Sequence, residues 1–267
     1  MTHPIATPAT HARIAQILED GAAFARAAGK TARTYFRQHN DVAFKDDQSP
    51  VTVVDQMIER ELKQAIAQAY PNDAIFGEES GVDGDLTGNL WVIDPIDGTR
   101  SFISGNPLFG MLMAYLEQGV PMAGVISMPF FQELYCGGVG HPATCNGQPI
   151  AVSGQQDIDD CTLYINEGEK LFAHHPDIFS RLVQAGKTRR FGYDCYPHAL
   201  LAAGHIDAVV DYDLKPYDYL ALTAVVGAAG GIVSDWQGNG LGLSSGGAVV
   251  SAATPQLHRA LLDLLNG

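Results

Sequence analysis

The chain has 267 residues, 46% of them apolar and 17% charged, with a formal net charge of −14. That length and balance describe a folded protein with a full core and exclude a disordered chain. The negative charge argues against nucleic acid or an anionic membrane as a partner, and no apolar run approaches the roughly 20 residues of a membrane span.

Residues 1–12 lack a basic segment followed by an apolar stretch, so no secretory leader is expected and the cytoplasm is the default. Residues 12–28 read as a helix, with Ile14, Ile17, Leu18 and Phe24 on the buried side. Ser49-Pro50-Val51-Thr52 interrupts the chain. Met57, Ile58, Leu62, Ala65 and Ile66 then recur at helical spacing, and Pro71 stops a second helix near Ala69. Short apolar runs at 74–77, 90–93, 111–116, 122–128 and 133–136 predict strands. The second half alternates strands (162–165, 208–211, 232–235, 248–252) with helices near 177–185, 195–204, 217–229 and 255–265. A helix-rich start, a hairpin-like middle and an alternating end predict a layered α/β or α+β fold. The chain reads as one unit, 1–267, with sub-lobes 1–153 and 154–267 meeting at the loop 153–160.

Cys136, Cys145, Cys161 and Cys195 are widely spaced, with no Cys-x-x-Cys pair, and read as reduced structural thiols. The nine histidines are scattered, and His174-His175 lacks the spacing of a helical metal pair, so no soft-metal site is expected.

The chemistry concentrates in carboxylates. In Trp91-Val92-Ile93-Asp94-Pro95-Ile96-Asp97-Gly98-Thr99, an apolar strand ends in one aspartate and a second follows three residues on. Two carboxylates at a strand end suit a hard divalent cation, and amides at Gly98 and Thr99, if they open a helix, offer donors to a phosphate. The same pattern also fits a turn with two solvated aspartates. Gly77-Glu78-Glu79-Ser80-Gly81 follows another short strand and by itself fits an acidic surface turn. Asp55 falls in the first turn of the second helix, where a carboxylate complements the dipole. Asp218, in Lys215-Pro216-Tyr217-Asp218, opens a helix that is apolar nearly all round and ends at Gly230-Gly231. A carboxylate leading a buried helix needs a partner, because an unpaired buried charge costs several kcal/mol, roughly. Asp55, Glu78, Asp94, Asp97 and Asp218 thus stand beside predicted element ends, in a chain with 16 Lys and Arg. Bound Mg²⁺ would neutralise the cluster and hold a phosphate at once.

Two other motifs lack their context. Gly242-Leu243-Ser244-Ser245-Gly246 matches the serine-hydrolase pattern, but a glycine loop precedes it and a strand follows. Residues 24–31 end in Gly-Lys-Thr like a phosphate-binding loop, yet Phe24 replaces the first glycine and a helix replaces the preceding strand.

Asp-Pro-Ile-Asp-Gly-Thr (94–99), Gly-Glu-Glu-Ser (77–80) and the downstream Asp218 before an apolar helix, in this order, resemble the inositol monophosphatase superfamily from Lys45 to about Asp235. The resemblance implies a layered αβαβα sandwich and two or three Mg²⁺ ions per site. It places Glu78, Asp94 and the Ile96 carbonyl on a first ion and Asp94, Asp97 and Asp218 on a second. Glu78 would reach a third through water, while Thr99 and Asp55 orient the nucleophilic water. The implied chemistry is metal-assisted in-line hydrolysis, with the substrate phosphate against the Gly98 and Thr99 amides. A homodimer is the family's common assembly.

At the substrate end, Lys-Pro-Tyr-Asp (215–218), Phe191-Gly192-Tyr193-Asp194-Cys195-Tyr196, and Arg100 with the following Ser101 to Gly110 resemble the histidinol-phosphate phosphatase branch. That branch releases histidinol and phosphate in histidine biosynthesis. Its substrate carries an ammonium and an imidazole, so a carboxylate pocket is expected, with Asp194 and Asp211 as the acceptors. An inositol-1-phosphatase or a broad sugar-phosphate phosphatase is the alternative. Some superfamily members also serve as accessory factors of the transcription machinery, a role that the charge of −14 disfavours.

Overall fold

A computed structural model describes residues 8–38, 42–44 and 50–267. The first seven residues of the segment tested for a leader, Lys45 at the start of the resemblance and Ser49 in the predicted break lie outside the described residues. The first half runs α1 (Pro8–Tyr35), β1 (Val42–Phe44), β2 (Pro50–Thr52), α2 (Val53–Ala69), β3 (Ala74–Gly77), β4 (Gly81–Asp83), β5 (Asn89–Asp97), α3 (Thr99–Ser104), β6 (Gly110–Glu117), β7 (Val120–Met128), β8 (Glu133–Gly138), β9 (His141–Cys145) and β10 (Gln148–Pro149). The second half runs β11 (Thr162–Asn166), α4 (Gly168–His174), α5 (Pro176–Leu182), β12 (Thr188–Gly192), α6 (Tyr196–Ala202), β13 (Ala208–Asp211), α7 (Pro216–Ala228), β14 (Ile232–Asp235), β15 (Val249–Ala252) and α8 (Pro255–Asn266).

Continuous apolar strands need cover on both faces, and the larger sheet has it. Its order is β10-β9-β8-β7-β6-β5-β3-β4, antiparallel except between β3 and β5. Alternation along β5 and β6 sends Trp91, Ile93, Met111, Met113 and Tyr115 to one face, where they pack with Ile14, Ile17, Ile58 and Leu62 of α1 and α2. Leu90, Val92, Leu112, Ala114 and Leu116 go to the other, against Tyr219, Ala221, Leu222 and Val225 of α7 and Ala199 of α6. α7 is the filling of the sandwich and, being covered on all sides, has no polar face. It seats closely on the sheet because Gly124 of β7 has no Cβ to meet the Ala221 carbonyl.

On the far side of α6 and α7 stands the smaller sheet, β12-β11-β13-β15-β14, in which β11 runs parallel to both of its neighbours. Its outer face carries Leu163, Ile165, Val210 and Val250, which pack on Leu257, Leu261 and Leu265 of α8. The five layers are therefore helix, sheet, helix, sheet, helix: the αβαβα sandwich.

Several elements depart from the sequence reading: the short strands β1, β2, β4, β9 and β10 are not among those predicted, and α1, α4 and β12 show why such departures arise. α1 runs on to Tyr35, because Ala25, Ala28 and Ala32 continue the buried stripe with side chains too small to register as a hydrophobic face, and Phe36 is buried just past its end. α4 has a single buried residue, Leu171, and so no periodicity to read. β12 is an edge strand whose Thr188, Arg189, Arg190 and Phe191 are all exposed. The four cysteines are free thiols. Residues 24–31 lie inside α1, and Ser244 lies in the loop between β14 and β15, with no helix after it.

Candidate active site

The site is built where the larger sheet's strands end against α7. In β5, Pro95 contributes no N–H, and pairing with β6 shifts between Asp94–Leu112 and Asp97–Gly110. Residues three apart on a regular strand face opposite ways; the bulge turns both aspartates into one cleft. Asp218 enters from the first turn of α7, where its Oδ2 accepts the Lys215 amide at 2.7 Å. Carboxylate oxygens of Asp94, Asp97 and Asp218 lie within 4.8 Å of one another.

Their surroundings are hostile to negative charge. Burial, then the charges of Glu78, Asp97 and Asp218, hold the Asp94 carboxyl well above the usual range. Asp97 is raised likewise, by burial and then by Asp194 and Asp218. Asp218 is pushed up to about 8, chiefly by burial, with Glu78 and Asp211 adding to it. Asp94 Oδ1 is buried with no hydrogen-bond partner among the described residues. An all-oxygen donor set, crowded with like charge and carrying an orphaned acceptor, fits a hard divalent cation.

Glu78 follows β3, and its amide donates to Ile93 O at 3.1 Å, which continues the parallel ladder by one residue. Thr99 begins α3. Its hydroxyl sits 3.1 Å from Asp55 Oδ1 and 3.2 Å from Ile96 O, and its one proton serves one of them at a time. Asp55 is fully buried. It closes a capping box with Thr52, and burial raises its pKa against the hydrogen bonds from Thr52 and Thr99. Asp55 therefore does not line the cleft; it reaches it through Thr99.

Gly98 has φ +90°, and a Cβ there would lie 2.5 Å from Asp194 Oδ2. Only glycine fits on both counts. Asp194 Oδ2 accepts from Ser101 Oγ at 2.7 Å, and burial pushes its carboxyl up to about 7, with Glu167 and Asp211 adding and Ser101 and Arg100 opposing. Asp211 is more fully engaged. Its Oδ2 accepts from Asn166 Nδ2 (2.7 Å) and faces His198 Nε2 (3.2 Å), while Oδ1 accepts the Tyr212 amide (2.8 Å). Arg100 is an exposed residue of the cleft.

The structure thus brings Glu78, Asp94, Ile96, Asp97, Gly98, Thr99, Arg100, Asp194, Asp211 and Asp218 around one cleft. It adds Glu167, Lys170 and Asp213, which the sequence reading did not single out. Lys170 Nζ bridges Glu167 (2.9 Å) and Asp213 (3.2 Å). Their signal was faint: Glu167 and Asp213 sit at positive φ between elements, where sequence shows only polar loop. Glu59 was missed as well. It lies one turn after Asp55 on the buried face of α2, at a spacing that a helical projection reveals.

Fold and cleft together define a class: a metal-dependent phosphatase built on an αβαβα sandwich. The model of the inositol monophosphatase family matches residues 14–266. The chain is 38% identical over 254 residues to the bifunctional phosphatase IMPL2, chloroplastic, of Arabidopsis thaliana, covering 92% of this chain and 73% of that one. It is 36% identical over 247 residues to a histidinol-phosphatase of Chlorobaculum parvum, covering 91% and 94%. Among solved structures, an inositol monophosphatase from Zymomonas mobilis superposes with a TM-score of 0.85 at 34% identity, over 94% of this chain and 98% of that one. The chain belongs to the inositol monophosphatase family.

Proposed function

We propose that this chain hydrolyses the phosphate ester of a small cationic metabolite, histidinol phosphate, with Mg²⁺ as cofactor. The observation that carries the reading is the charge of the cleft. Glu78, Asp94, Asp97, Glu167, Asp194, Asp211, Asp213 and Asp218 line it, against Arg100 and Lys170. Four of these carboxylates lie beyond the cluster suited to metal. Lys170 pairs with Glu167 and Asp213, which leaves Asp194 and Asp211 without a Lys or Arg partner among the described residues, and a polyol would give these two no counter-charge. A leaving group bearing ammonium and imidazole does. The histidinol-phosphatase of C. parvum, similar along nearly its whole length, supports the same reading.

Glu78, Asp94 and the Ile96 carbonyl would hold one ion and Asp94, Asp97 and Asp218 a second, and Glu78 would also serve a third. The chemistry that Mg²⁺ would supply there is positive charge for the phosphate oxygens and a lowered pKa for the attacking water. Thr99 gives its proton to Asp55, which leaves the hydroxyl's lone pairs facing the cleft to orient the attacking water. The Gly98 and Thr99 amides, at the start of α3, donate to the phosphate. Asp194, with Oδ2 engaged by Ser101 alone among the described residues, is the first acceptor for the substrate's cation, and Asp211, with both oxygens engaged, the second. Residues 1–153 then carry most of the metal-binding motifs and 154–267 most of the substrate side, within a single unit. No helix among the described residues is long and apolar enough to cross a membrane, and the proposal places a homodimer in the cytoplasm.

The test is phosphate release, with Mg²⁺, from histidinol phosphate, inositol-1-phosphate, fructose-1,6-bisphosphate and 3′-phosphoadenosine-5′-phosphate. The expected result is the highest kcat/KM on histidinol phosphate. Preference for inositol-1-phosphate would instead assign the chain to the inositol branch.

A further inference from the structure

Glu59 is a carboxylate placed where carboxylates are costly: on the inward face of α2, 2% exposed, between Ile58 and Leu62. A buried charge survives only when it is hydrogen-bonded, and Glu59 is. Its Oε2 accepts the Glu79 amide at 2.8 Å, and its Oε1 accepts the Ser80 amide at 2.8 Å and the Ser80 hydroxyl. Lys63 Nζ stands 3.9 Å from Oε1. Gly77 leaves room for all this: a Cβ there would lie 2.5 Å from Glu59 Cδ and 2.6–2.7 Å from both oxygens.

These bonds bracket Glu78. Its own amide is tied to Ile93 O, and the next two amides are tied to Glu59. Glu78 therefore projects into the cleft from a backbone fixed on both sides. One turn earlier on the same helix, Asp55 fixes Thr99. α2 thus carries two carboxylates, four residues apart, each holding a different cleft-lining segment from behind.

We infer that Glu59 is a positioning residue: it holds the 78–80 turn so that the Glu78 carboxylate meets the metal. The inference rests on the reading of Glu78 as a metal ligand. It requires that loosening the turn weaken metal binding, not merely the fold, because the ligands would then have to be ordered at the moment of binding. Partners that orient ligands are worth roughly 10–100-fold in metal affinity.

Two variants reach the contact from opposite sides. Glu59→Gln keeps the shape but sets an NH₂ against one of the two backbone amides. Gly77→Ala leaves Glu59 charged and pushes its carboxylate off the turn, and because that carboxylate ends a flexible side chain it moves in preference to the backbone. Both proteins are stripped with chelator and titrated with Mn²⁺, an ion with the same preference for oxygen ligands. Free Mn²⁺ is counted by electron paramagnetic resonance, without substrate. The expected result is a dissociation constant raised about 10–100-fold in each variant, measured well below the thermal midpoint of the metal-free protein. Gly77→Ala gives the reading if Glu59→Gln does not fold. Wild-type binding that both variants match, with only their thermal midpoints lowered, would show Glu59 to be structural and overturn the inference alone. Absence of Mn²⁺ binding by the wild type would overturn the metal reading and the inference with it.

Discussion

Asp94→Asn is expected to abolish measurable turnover, while Asp55→Asn leaves a reduced but measurable rate. Asp94 is the carboxylate on which the cluster converges: it is 2% exposed, raised by burial and by three acidic neighbours, and has one oxygen with no partner among the described residues. An amide of the same shape removes the charge that a cation needs and leaves a buried N–H₂ pointing at it. The loss of several kcal/mol of metal-supplied stabilisation amounts to about three decades or more in kcat. Asp55 acts one residue removed, through the Thr99 hydroxyl, and an asparagine oxygen still accepts that proton. Its replacement should cost about one to two decades, the scale of a single charged hydrogen bond. Steady-state rates of the two purified variants at saturating Mg²⁺ give the comparison. Equal losses would mean that Asp94 is no more than another structural carboxylate.

Asp194→Asn should change what the enzyme prefers more than how fast it works. Asp194 sits at φ +60°, a conformation that asparagine tolerates well, so the variant keeps its backbone. The substrate's ammonium or imidazolium leaves water on binding and needs a charged acceptor in return. A charge-assisted hydrogen bond of about 1.5–3 kcal/mol corresponds to one to two decades in kcat/KM on histidinol phosphate. An aryl phosphate, whose leaving group bears no cation, uses the same phosphate end and should retain much of its rate. The ratio of the two kcat/KM values is the quantity to measure. Equal loss on both substrates would make Asp194 a structural residue and remove the main physical support for a cationic substrate.

Legibility in the sequence followed burial. β5 and β6 are apolar on both faces because helices cover both, and their runs stood out without an alignment. The same holds for α7, whose lack of a polar face announced its place in the middle layer. β12 shows the converse: at a sheet edge nothing apolar is required, and a strand of exposed arginines has no pattern to find. In the site, the cluster was visible because carboxylates stand at the ends of readable elements. The part of Asp55 came only from the family resemblance, and that of Glu59 was not visible at all, since each looks like an ordinary helical acid until the segment it holds is placed beside it. Asp211 went the other way. Its strand and register were readable, but its engagement by Asn166, His198 and the Tyr212 amide depends on three segments that only the fold unites.

The converging carboxylates of Asp94, Asp97 and Asp218 are proposed to hold the cation on which phosphate-ester hydrolysis in this cleft depends. The direct measurement is phosphate release from histidinol phosphate by protein stripped with excess chelator and then titrated with Mg²⁺. Activity absent from the stripped protein and restored along a saturating curve is the predicted result. Full activity in excess chelator would contradict the claim.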